Sequence, residues 1–98
     1  MNPVPSENFP DIIYPVCAIR DALTQFYPCS VEESLPAAKR NFSMAVNGAK
    51  GVIAFSPGDY TLFHVGNFNT KKGTIEPVSP IEQIASGLEV YGEVYEKS

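Results

Sequence analysis

The spacing of apolar residues changes along this chain, and each change marks an element. Residues 1–11 have no period and mix prolines with acids, which predicts a mobile lead. Residues 12–20 are rich in β-branched side chains and read as a strand, with Pro15 removing a ladder donor and so marking an edge or the true start. Residues 21–24 read as a short reversal and 25–28 as a returning strand. The alternation there is imperfect, so the register stays open. Leu35, Ala38, Phe42, Ala45 and Val46 then recur at helical spacing and predict one apolar stripe, with Lys39, Ser43 and Asn47 on the other side and Lys50 just past the end. Ser34 suits the N-cap, Glu32 and Glu33 lie near the positive end of the dipole, and Pro36 falls in the first turn, where it is tolerated. Asn47-Gly48 supplies the stop.

Beyond the helix, 52–55 reads as a short apolar strand ended by the turn signal Ser56-Pro57-Gly58. An aromatic-rich strand over 60–67, a loop at 69–73 with two adjacent lysines and a return at 74–76 form a hairpin. Pro77 and Pro80 interrupt the chain, and 81–87 is a last strand or a short helix. Residues 87–98 alternate glutamates with Val90, Tyr91, Val94 and Tyr95 and read as a partly ordered acidic tail. The expected fold is α+β: a small, mostly antiparallel sheet with one helix on one face, in the order β-β-α-β-β-β. The domain spans 12–88, between the 1–11 lead and an 89–98 tail.

Composition sharpens this only in places. Ninety-eight residues with 44% apolar content suffice for one small core. No run approaches the roughly 18 apolar residues of a membrane span, and the N-terminus lacks a basic segment followed by an apolar one, so a soluble cytoplasmic protein with no membrane partner is expected. The net charge of −4 argues against a polyanion, yet its distribution is uneven. Residues 1–11 carry −2 and 76–98 carry −4, whereas 12–75, with Arg20, Lys39, Arg40, Lys50, Lys71 and Lys72, carry +2.

Catalytic chemistry finds little support. His64 is the sole histidine, in a strand between Phe63 and Val65, and reads as a half-buried or surface side chain. Asp21 and Asp59 start turns, where aspartate bonds its own backbone. Cys17 and Cys29 have no histidine partner at metal spacing and read as reduced core residues, although a hairpin centred near residue 23 would bring them close. No catalytic residue, metal site or cofactor is expected. The rings carry more information. Along 60–68 the even positions are Tyr60, Leu62, His64, Gly66 and Phe68, and the odd ones Thr61, Phe63, Val65 and Asn67. Both faces are mixed, so the rings fill a core or dimer interface, or some serve as stacking platforms for unpaired bases. Lys71 and Lys72 are solubility residues, or with Arg20, Lys39, Arg40 and Lys50 form a rim beside the rings.

Three ordered segments carry a resemblance: Ala18-Ile19-Arg20-Asp21 with Phe26-Tyr27; Ala38-Lys39-Arg40-Asn41-Phe42 with Ala45-Val46-Asn47; and Asp59 to Asn69 with Gly73-Thr74-Ile75. Over roughly residues 14–88 the chain resembles the small non-structural protein of gokushovirus-type microviruses, bacteriophages with single-stranded DNA. The resemblance implies a DNA-binding protein of the host cytoplasm, acting when replication turns to single-stranded genomes for packaging. Family members commonly have a glycine turn after the Ile-Arg-Asp segment, where this chain has Ala22-Leu23-Thr24-Gln25.

The expectation is therefore a non-enzymatic single-stranded DNA-binding protein, a homodimer that buries its second aromatic face. Arg20, Lys39, Arg40, Lys50, Lys71 and Lys72 would hold phosphates, and Tyr27, Tyr60, Phe63 and Phe68 would stack. The acidic tail would compete with DNA or recruit a replication or capsid protein. The alternative is a phage accessory module that binds a host or capsid protein through the exposed sheet; a small hydrolase or transferase using His64 is a third reading.

Overall fold

The structure is a computed structural model and describes residues 9–48, 53 and 56–92. Four antiparallel strands lie in the order β2-β1-β3-β4: β1 Ile13–Asp21, β2 Ser30–Val31, β3 Tyr60–Asn69 and β4 Thr74–Ser86. Helix α1, Leu35–Val46, joins β2 to the second half, a 3₁₀ turn at Pro57–Asp59 leads into β3, and a short helix, α2, Gly87–Val90, is the last described element. The class is α+β, as the pattern predicts.

The details depart from the expected order in four places. The returning strand is not 25–28 but β2. Pro28 has no N–H to donate, so 26–28 make one bridge, Arg20 with Phe26, and one bond, Tyr27 N–H to the Ile19 carbonyl at 2.8 Å. Ile53, the only described residue of the strand expected at 52–55, is helical. Pro77 and Pro80 do not stop β4, because an edge strand tolerates missing donors. The expected tail also starts too early, since Val90 is fully buried in the core.

One layer of helix covers one side of the sheet. Ser34 caps α1 as expected, its hydroxyl accepting from the Ala37 N–H at 3.1 Å. Ala38, Phe42 and Val46 pack onto Cys17, Tyr60, Leu62, Ala85 and Val90, with Ile19, Leu35, Ile53 and Ile84 around them. The buried stripe is turned from the expected one: Ser43 is fully buried and Ala45 exposed.

That turn brings Asn47 into use. Its amide donates to the Ser43 carbonyl at 2.8 Å and the Val90 carbonyl at 2.9 Å, and its oxygen accepts from the Gly92 N–H at 2.6 Å. The C-cap of α1 thus holds α2 in place. From the other side, α2 is fixed by a capping box in which Ser86 Oγ accepts from Glu89 N–H at 3.1 Å and Glu89 Oε1 accepts from Ser86 N–H at 2.8 Å. Gly87 lies so close to the 3₁₀ turn that a β-carbon there would overlap the Pro57 carbonyl.

Two outcomes follow from this closure. Asn47→Ala removes bonds at both helices and is expected to lower unfolding free energy by about 2 kcal/mol in urea melts. Gly87→Ala is expected to cost about 1–3 kcal/mol by forcing the backbones apart, whereas Gly58→Ala, whose methyl would meet only the Leu88 side chain at 3.6 Å, should be near neutral.

Candidate functional site

Directly paired residues of antiparallel strands share a face, so the register assigns every strand side chain to one of two sides. Cys17, Ile19 and Asp21 pair with His64, Leu62 and Tyr60, and these lie on the helix side. Tyr14, Val16, Ala18 and Arg20 pair with Phe68, Gly66, Phe63 and Thr61 on the other. On β4, Ile75, Pro77, Gln83 and Ser86 continue that second side, and on β2 Val31 does. No described helix packs on this side in the core, yet Val16 and Ala18 on it are buried among their neighbours.

A β-bulge makes this face what it is. Between Val16 and Cys17 the register against β3 shifts, leaving Val65 as an extra residue. Strict alternation would place Phe68 with Tyr60. The bulge reverses the phase, so Phe68 shares a face with Phe63 instead. Opposite the same place, β4 loops out 78–81 between Pro77 and Glu82. A second bulge puts both Ile84 and Ala85 on the helix side, where both pack into the core.

The open face is aromatic and carries no strand carboxylate, with Glu32 and Glu33, just past β2, beside Tyr14 and Val31 at its edge. Phe63 and Phe68 are half-buried, as is Tyr14, which lies opposite Phe68. Phe26 is 41% exposed and meets Phe63 edge-on, with ring centroids 5.6 Å apart. Every carboxylate of the strands, Asp21, Glu76 and Glu82, registers on the helix side, since Glu76 pairs with Asn67 and Glu82 with His64.

The expected stacking set therefore divides. Phe63 and Phe68 are together on the open face. Tyr60 is 3% exposed and is a core ring, not a platform. Tyr27 tilts against it at 6.0 Å on the helix side, and their hydroxyls share a hydrogen bond at 3.4 Å. That bond, with burial and the nearby Asp21 and Asp59, holds the Tyr60 phenol above the usual tyrosine range. Tyr27 also lines a cavity of about 180 Å³ under α1, beside Cys17, Glu32, Asn41 and Phe42. Tyr14 and Phe26 were not expected. Tyr14 was within reach, because alternation back from Arg20 through Ala18 and Val16 ends on it.

The cations do not form one rim. Arg20 is exposed at one end of the open face, against Thr61. Lys71 and Lys72 occupy the β3–β4 turn at the other end, where Asn69 Oδ1 accepts from both of their backbone N–H groups at 2.9 and 3.0 Å and Gly73 adopts a φ of 72°. Seven residues of β1 separate the registers of Arg20 and Asn69, about 24 Å at the strand rise. Lys39 and Arg40 are on α1, across the sheet. Lys50 lies outside the described residues.

On the helix side, Cys17, His64 and Glu82 form a row across three strands. His64 is buried, at 9% exposure, rather than half-exposed. Its Nε2 is 3.0 Å from Asn67 Oδ1, and its Nδ1 makes no hydrogen bond and lies 3.6 Å from Glu82 Oε1. A thiolate nucleophile is not on offer. Burial, and then the charge of Glu32, push the Cys17 thiol up to about 11 from 9.0. Cys29 is exposed rather than in the core, because Cys17 pairs with Ser30 and the register misses Cys29 by one residue. Among the described residues no cluster of three His, Cys, Asp or Glu is placed to hold a metal, and no helix is long and apolar enough to cross a membrane.

Set beside known proteins, the chain matches a family model described as Phage ORF5 protein over residues 14–90. Those bounds run from the first ring of the open face to the buried residue that ends α2. No curated protein and no solved structure matches it.

The two thiols should separate cleanly in a labelling assay. Cys29 is expected to react at once with a thiol reagent at neutral pH, and Cys17 only after denaturation. A raised folded pKa favours the thiol form, so Cys17 contributes stability that is complete below pH 9, the ordinary value, and lost as pH rises through about 11. Cys17→Ala should flatten that part of the stability–pH curve.

Proposed function

The chain belongs to the Phage ORF5 protein family, and on that premise we propose that it is a non-enzymatic, non-structural phage protein that binds single-stranded DNA largely without regard to sequence. The resemblance to gokushovirus-type microviruses supports a role in the host cytoplasm, where replication passes to single-stranded genomes for packaging. The observation that carries the reading is the open face. It presents Tyr14, Phe26, Phe63 and Phe68, keeps every strand carboxylate on the far side and has cations at both ends. Unpaired bases stack on rings at about 1–3 kcal/mol each, and phosphates take the cations. The net charge of −4 counts less against the reading because the strand carboxylates Asp21, Glu76 and Glu82 register on the other face.

The homodimer expected from sequence would bury the same face against a second copy, so strand and partner compete for these rings. A second reading, a module that binds a host or capsid protein, is favoured by the exposed Val31 and Ile75 on this face. It would survive loss of the lysines and fail on loss of the rings.

Fluorescence anisotropy with a labelled oligonucleotide tests the proposal. With Arg20, Lys71 and Lys72 on phosphates, log K is expected to fall with log salt at a slope of about −2, from about −0.7 per contact on a single strand. Lys71→Ala with Lys72→Ala should reduce the slope to about −0.7, and Lys39→Ala with Arg40→Ala should leave it unchanged. Absence of binding at low salt ends the proposal.

A further inference from the structure

The open face is not evenly aromatic. Tyr14 and Phe68 oppose each other in one row, next to Ile75, which is 56% exposed. Phe26 and Phe63 make the second row, next to Gln83. Between them the paired residues are Val16 with Gly66, both buried and neither offering a ring. Gly66 is held to this size: a β-carbon there would lie 3.0 Å from the Glu76 carbonyl oxygen and 3.3 Å from Ile75 Cγ2. Four residues of the unbulged β1, from Tyr14 to Ala18, set the distance between rows at about 13 Å.

Resting on the DNA reading above, we propose that the face is a two-station platform for single strands, one base stacking at Tyr14–Phe68 and another at Phe26–Phe63, with the intervening nucleotides passing over the buried, ringless strip at Val16–Gly66. At the 3.4 Å rise of a stacked strand, about 13 Å is about four nucleotides. A shorter oligonucleotide reaches one station only. A longer one engages both, the second as an intramolecular event. The ligand class is thus a single strand of at least about four to five nucleotides, and a duplex, whose bases are not free to stack, is excluded.

The test is a length series of oligothymidylates from two to about twelve nucleotides at fixed low salt, read by competition against a labelled long strand. Affinity is expected to step up by at least about tenfold as length passes four to five nucleotides, then rise slowly. Phe68→Leu and Phe63→Leu keep apolar volume in these half-buried positions but remove a ring, and each should abolish the step while unfolding midpoints confirm an intact fold. An affinity that climbs evenly with length, a step that first comes beyond about eight nucleotides, or a step that persists in both variants overturns the two stations. If the long strand itself fails to bind at low salt, the DNA reading falls and this proposal with it; if it binds without a step, only the stations fall.

Discussion

The extra residue at Val65 is the constraint from which the rest of the molecule follows. Side chains on a strand alternate with period two, so one inserted residue exchanges faces for everything beyond it. Before the bulge, β3 sends Tyr60, Leu62 and His64 to the helix side; after it, Phe68 goes to the open side with Phe63. Without the shift, Phe68 would register on the side where Tyr60 and Leu62 pack under α1, and the open face would hold one β3 ring. The same discontinuity fits the loop of β4 at 78–81, which takes Pro80 out of the ladder where its missing donor would otherwise interrupt pairing.

A single helix cannot cover both sides of a sheet, and this one covers the side with the carboxylates. The domain is small, and α1 seals against the sheet only because the C-terminal segment folds back onto it. Val90 fills the last gap in the core, Asn47 holds its carbonyl, and Gly87 permits the approach to Pro57. Val90 and Gly87 belong to α2 and Asn47 to the C-cap of α1, so the two helices close on the sheet together. The consequence for the open face is indirect. With α1 and α2 packed on the helix side, Tyr14, Phe63 and Phe68 are left half-exposed on the other.

Local physics was legible in the sequence wherever one residue decides the outcome. Ser34 capping α1, Asp21 bonding its own turn and the lysines at the hairpin tip could each be read from residue chemistry alone. What could not be read was phase. A bulge has no strong residue signature in Phe63-His64-Val65-Gly66, since Gly66 suits a flat strand as well as a bent one, and the pairing that locates it is long-range. Tyr60 accordingly resembled Phe68 on paper, although one is core and the other is on the surface. The tail at 87–90 failed for a related reason. Its glutamate looked solvating, whereas Glu89 closes a capping box and leaves Val90 free to turn inward.

Net charge is a poor guide to partners because it sums over faces that a ligand never meets together. Across about 10 Å of ionic solution at physiological salt, a charge on the far side of a sheet is largely screened. On the proposed reading, a strand on the open face meets Arg20 and the Lys71–Lys72 turn, with Asp21, Glu76 and Glu82 registered behind the sheet. The acids still act, but at longer range. They weaken the general attraction of the protein for duplex DNA, whose binding without ring contacts depends almost wholly on the summed field. On the proposed reading, the placement of the strand carboxylates behind the rings contributes to a preference for single strands alongside the aromatics.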